Sequence, residues 1–177
     1  MGFEAPRIGI SSCLLGDEVR FDGGHKREAF LIDVLGPLVE WVRVCPELEI
    51  GLGVPREPLR LERSAHGVRL MTVQTRVDHS EAMREFAHRR VSELADLGVS
   101  GYVLKSKSPS CGLRGVKVFD EAGGQSAAGA GLFAAILRER LPELPIEEET
   151  TLMDAAARDD FLRRATAYAR RHARRDE

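Results

Sequence analysis

A three-layer α/β domain, with a mainly parallel sheet and helices on both faces, is the fold class this sequence predicts. Short apolar, β-branched runs stand at residues 7–15, 41–44 and 101–104. Between them lie longer segments whose apolar residues recur three and four apart. Strands alternating with helices imply βαβ units, which need a parallel sheet covered on both sides. Length agrees: 177 residues, 43% hydrophobic and 31% charged, suit one globular unit, so residues 1–177 are expected to share a single core.

Taken in order, RIGISSCLL at 7–15 reads as a buried strand stopping at Gly16, with Cys13 near its C-terminal end. Phe30, Leu31, Val34, Leu35 and Leu38 then predict a helix over 27–40 packed on the sheet. The strand at 41–44 ends in Cys45-Pro46, because Pro46 cannot donate to a ladder. Residues 57–77 hold two alternating stretches separated by Ala65-His66-Gly67, a hairpin. Asp78 or Ser80 can cap a helix whose stripe is Met83, Phe86, Ala87, Val91, Leu94 and Leu97, closing at Gly98. GYVL at 101–104 is a third buried strand, followed by the polar loop KSKSPSCG. A strand at 116–119, a flexible glycine-rich connection at 123–131, a helix at 132–141 and a long helix at about 152–172 complete a Rossmann-like reading.

The N-terminal MGFEAPRIGI lacks a basic segment followed by an apolar run, and no 18 uncharged apolar residues stand together. No membrane partner and a cytoplasmic location are therefore expected. A net charge of -2 offers no general attraction to nucleic acid, so tRNA remains a possible partner that charge does not indicate. The local exception is Arg163, Arg164, Arg170, Arg171, Arg174 and Arg175, which read as a solvated face offset by nearby acids or as a contact to an RNA backbone.

Three cysteines argue against a disulfide framework and leave free thiols or metal ligands. Cys13, Cys45 and Cys111 stand 32 and 66 residues apart, so none shows the close pairing of zinc fingers or ferredoxins. Placement is more informative. In parallel α/β sheets ligands bind beyond the carboxyl ends of the strands, and all three cysteines fall there, each among turn or polar residues. Three inert core thiols, a zinc ion with His25 or water as fourth ligand, and a cubane cluster with one open iron are the readings available.

The blocks ISSCLLGDEVRFDGGHKR, VCPELEIGLGVPREPLRL and LKSKSPSCG, with GLFAAILRERLPELPIEE further on, resemble the thiouracil desulfidase family over most of the chain. The resemblance implies a 4Fe-4S cluster held by Cys13, Cys45 and Cys111, whose open iron acts as Lewis acid toward a small-molecule thiolated pyrimidine of the 2-thiouracil or 4-thiouridine type. Sulfur would be removed hydrolytically, with Glu47 of the CPE block moving the proton. The serine of SPSCG that holds the base is Ser108 or Ser110. We assign Glu47 and Ser108 as catalytic, and Ser12, Asp22, Ser110 and Lys105 as substrate-binding. Without the resemblance Glu47 reads as an exposed turn residue.

Other features have plain alternatives. Asp22 stabilises a turn as readily as it meets substrate, and His25 must stay off the metal if one iron is open. Lys105 and Lys107 balance thiolate charge, meet a phosphate, or are ordinary loop lysines. Arg56 reads as a ligand contact or, more readily, as an ion pair. GGQSAAGAG precedes a helix, as a phosphate cradle would, but lacks the lysine and spacing of an NTPase loop. A zinc-binding structural or regulatory module and a sulfur-transfer enzyme remain the alternative functions. Oligomeric state is not legible in the sequence.

Overall fold

The structure is a computed structural model that describes residues 5–173. Arg174, Arg175, Asp176 and Glu177 lie outside these residues. The strands and helices are β1 Arg7–Ser11, β2 Glu40–Val44, α1 Pro46–Glu49, β3 Leu59–Ser64, β4 Gly67–Thr72, α2 Ser80–Asp96, β5 Val99–Leu104, β6 Val116–Phe119, β7 Gln125–Gly129, α3 Leu132–Arg140, β8 Ile146–Glu148 and α4 Ala155–Ala173.

The predicted parallel sheet is present, in the order β2-β1-β5-β8. Ser11 pairs with Val44, Ile10 with Val103, and Leu104 with Glu148. All four strands therefore run out at the same edge. Alternation decides the two faces of this sheet. Tyr102 and Leu104 pack with Met83, Phe86 and Phe133 of α2 and α3, whereas Ile8, Ile10 and Val103 pack with Leu31, Leu35, Phe161 and Ala165 on the other side. Gly9 leaves room for the Tyr102 ring: a Cβ there would lie 2.3 Å from Tyr102 Cδ2. The three-layer α/β expectation is met.

A second sheet, β4-β3-β6-β7, was not expected. The hairpin β3–β4 pairs as predicted, Leu61 opposite Leu70, and β3 also runs parallel to β6. Residues 123–131, read as a flexible connection, instead contain strand β7, antiparallel to β6 across a turn in which Asp120 accepts the Gly124 amide. β8, too short and acidic to read as a strand, was also missed.

The helix expected over 27–40 is not regular. Residues 31–35 form a π turn and Gly36–Leu38 a 3-10 turn, and Gly36-Pro37 ends the run. Leu31 and Leu35 are buried, but Val34 and Leu38 are half exposed, so the five-residue stripe is only partly used. Before α2, Asp78 accepts the Ser80 amide, while the Ser80 hydroxyl accepts the Leu70 amide of β4 instead of capping. α4 starts later than expected, with Asp154 accepting the Ala157 amide as an N-cap does. Among the described residues no helix is long and apolar enough to cross a membrane.

Candidate active site

Beyond the carboxyl edge of the parallel sheet lies a cavity of about 410 Å³. Its wall includes Cys13, Cys45 and Cys111 together with Ser12, Glu47, Lys105, Ser108 and Ser110. Each strand end delivers its residue by a short turn. After β1 a 3-10 turn, Ser12–Leu15, closes at Gly16, whose φ of 98° is cheap for glycine, and the Cys13 carbonyl accepts the Gly16 and Lys26 amides. After β2, Pro46 starts α1 and the Cys45 amide donates to Glu49 Oε1 at 3.2 Å. Cys111 sits in the loop after β5.

That loop is held on several sides. Ser108 Oγ accepts the Ser110 and Cys111 amides, at 3.2 and 3.0 Å. The opening amides of α3 donate to the Pro109 and Ser110 carbonyls, so the helix N-terminus suggested as a phosphate cradle is occupied by the chain itself. Two buried carboxylates at the end of β8 hold the flanks: Glu148 accepts the Leu113 amide at 2.8 Å, and Glu149 takes the Ser106 amide at 2.7 Å, the Ser106 hydroxyl and the Lys105 ammonium.

Burial pushes the Cys13 thiol up to about 11, with Cys45 adding to the rise and Lys105 opposing it. Burial likewise raises Cys45, and raises Cys111, where the Ser11 hydroxyl offsets part of the effect. Three soft sulfur donors line one cavity, a set suited to thiophilic metal. Among the described residues no three His, Cys, Asp or Glu side chains converge on a single-ion position. His25 lies off the cavity lining, its Nδ1 accepting the Arg27 amide, which leaves water as the fourth ligand of the zinc reading.

Glu47 is embedded, not a surface turn residue. Its Oε2 receives Arg56 Nε at 2.9 Å and Nη2 at 2.8 Å, and its Oε1 accepts Ser110 Oγ at 2.8 Å. Arg56 also lines the cavity. Ser12 Oγ is buried on the same wall with no protein partner. Lys105 is committed to Glu149 and Ser106. Asp22 lies outside the lining, exposed, with Oδ1 closing a turn on the Gly24 amide, a bond that holds its carboxyl below the usual range. Arg20 and Lys26 line the mouth beside Lys107; only their nearness to Cys13 in the chain could have signalled them.

A Bacillus subtilis (strain 168) protein described as "Uncharacterized protein YbbK" is 30% identical over 135 residues, 73% of this chain and 88% of that protein. A solved structure of the 4Fe-4S-dependent thiouracil desulfidase TudS matches with a TM-score of 0.68 and 29% identity, over 85% of this chain and 95% of that one. The profile of the 2-thiouracil desulfurase family matches residues 8–149, a span that starts within β1 and stops at the Glu149 clamp. With the family profile matched over most of its length and the fold in agreement, the chain belongs to the 2-thiouracil desulfurase family.

Proposed function

We propose that this chain is an iron-sulfur-dependent desulfidase that removes sulfur hydrolytically from thiolated uracil derivatives. The observation that carries the reading is the meeting of Cys13, Cys45 and Cys111 on one cavity whose wall also bears the Glu47–Ser110 pair. Cys13, Cys45 and Cys111 are the residues that would hold a 4Fe-4S cluster, the group on which the related TudS depends. With three protein ligands, such a cluster supplies a Lewis-acidic iron toward a thiocarbonyl.

The remaining work belongs to side chains. Water is the oxygen source and sulfide the leaving group as C=S becomes C=O. Glu47 takes a proton from water at Oε1, since Oε2 is held by Arg56, and later returns it to the departing sulfide, while Ser110 orients the carboxylate from the other side. Ser108, its oxygen already accepting two amides, and Ser12, unpartnered, offer hydroxyl hydrogens to the pyrimidine carbonyl. Lys105, fixed by Glu149, places positive charge beside Cys13 rather than contacting substrate. Arg20, Lys26 and Lys107 at the mouth favour nucleotide forms of the substrate, whereas the net charge of -2 lends tRNA no support. A reducing, cytoplasmic setting suits three free thiols.

The test is anaerobic reconstitution with iron and sulfide, then incubation with 2-thiouracil, 4-thiouridine and its 5′-monophosphate while thiocarbonyl absorbance is followed. The expected outcome is a brown protein with about four irons per chain that bleaches at least one substrate. Colourless protein holding one zinc, or loaded protein that turns over none of them, overturns the reading. Glu47→Gln should keep iron content and visible absorbance while turnover falls on the order of 100-fold or more.

A further inference from the structure

We propose that Arg56 is a positioning residue of this site, setting the Glu47 carboxylate and the mouth loop at residues 17–26 in one fixed relation; the proposal rests on the role given to Glu47 above. Three of the five guanidinium N–H groups donate hydrogen bonds to the chain itself. Nε meets Glu47 Oε2 at 2.9 Å, Nη2 the Val19 carbonyl at 2.8 Å and Nη1 the Gly53 carbonyl at 2.8 Å, while Nη2 also stands 2.8 Å from Glu47 Oε2 in the ion pair. The side chain is 7% exposed, although it lines the cavity. Each of its three nitrogens already serves a protein acceptor, and its ion pair is with Glu47, so it acts through that carboxylate.

The same residue reaches the mouth loop twice. Nη2 holds Val19, whose carbonyl also lies 4.0 Å from Cys45 Sγ, and the Arg56 amide donates to the Phe21 carbonyl at 2.8 Å. The amide bond survives any side-chain replacement, so variants keep one anchor of the loop. A lysine cannot replace the fork. Its single ammonium cannot meet Glu47, Gly53 and Val19 in the planar directions that guanidinium offers. In Arg56→Ala the charge of Glu47, 15% exposed, loses its counter-ion in a poorly solvated place.

Arg56→Ala and Arg56→Lys, loaded with cluster, test the proposal against wild type. The expected result is kcat lower by on the order of 10- to 100-fold, KM within about threefold, and iron content and visible spectrum unchanged. Added guanidinium should partly restore Arg56→Ala, and ammonium should not. The Glu47→Gln/Arg56→Ala double variant should be no slower than Glu47→Gln alone, because the arginine acts through that carboxylate. Higher KM with unchanged kcat, additive losses in the double variant, or a fall in kcat that only tracks lost iron overturns the proposal. Hydrogen exchange separates this failure from failure of the desulfidase reading. If wild type turns over no thiopyrimidine, faster exchange across residues 17–26 in Arg56→Ala, reversed by guanidinium, still supports the structural half, and unchanged exchange sinks it.

Discussion

At Gly131 an added Cβ would stand 2.4 Å from the carbonyl carbon and oxygen of Ser110 and 2.7 Å from the Cys111 nitrogen. The backbone there, φ -60° and ψ 148°, suits any residue, so the demand for glycine is one of space alone. Gly131→Ala should therefore cost about 1–3 kcal/mol and also lower iron retention, because only the loop that carries Cys111 can move aside. Thermal melts and iron assay of the purified variant check both parts; a full iron complement with an unchanged melt would show that the loop is not confined there. The cysteines themselves were legible from sequence, since strand ends on a parallel sheet converge by topology. The serines were not assignable by sequence, because SPSCG does not say which hydroxyl accepts amides and which reaches a glutamate 63 residues away. Asp22 misleads for a similar reason: an aspartate before two glycines satisfies a local turn first.

Among the elements, the short strand β8 braces the site from its C-terminal end. Its Glu148 and following Glu149 hold both flanks of the Cys111 loop, yet three residues, two of them acidic, give no strand signal in a sequence. Glu149→Ala leaves the Lys105 ammonium without its partner. The expected loss is about 2–3 kcal/mol, below the value for a wholly dry pair because Lys105 is 20% exposed, and denaturant titration measures it. Arg76, beyond β4, and Arg60 of β3 clasp Glu62 of β3 and bring its carboxyl from an ordinary 4.5 down to about 2. A depressed carboxylate contributes stability above its unfolded value and loses it as pH falls toward the folded one. Glu62→Gln should thus be less stable than wild type near neutrality, with the gap closing between pH 4.5 and 2; a gap constant across that window would refute the assignment. β7 was missed because Gln125–Gly129 is built of small residues with little strand preference, and pairing with β6 supplies what propensity lacks.

For the whole molecule, one apolar cluster takes Val44, Tyr102 and Leu104 from the parallel sheet and Leu61, Leu70 and Val118 from the other. Two sheets sharing one core should unfold together, so we expect a single transition in urea with far-UV and near-UV signals coincident; separate midpoints would mean two units. The helical stripes at 83–97 and 132–141 revealed half of this arrangement. The second sheet stayed hidden because Leu61 meets Val118 across 57 residues, a pairing that local pattern cannot announce. The carboxylate clamp also has a consequence for how the protein is made. Glu148 and Glu149 follow Cys111 in the chain, so two of the clasps on its loop form only after all three thiols have been synthesised. On the ligand set proposed above, a cluster would enter a pocket whose last clasps are made after its sulfur donors.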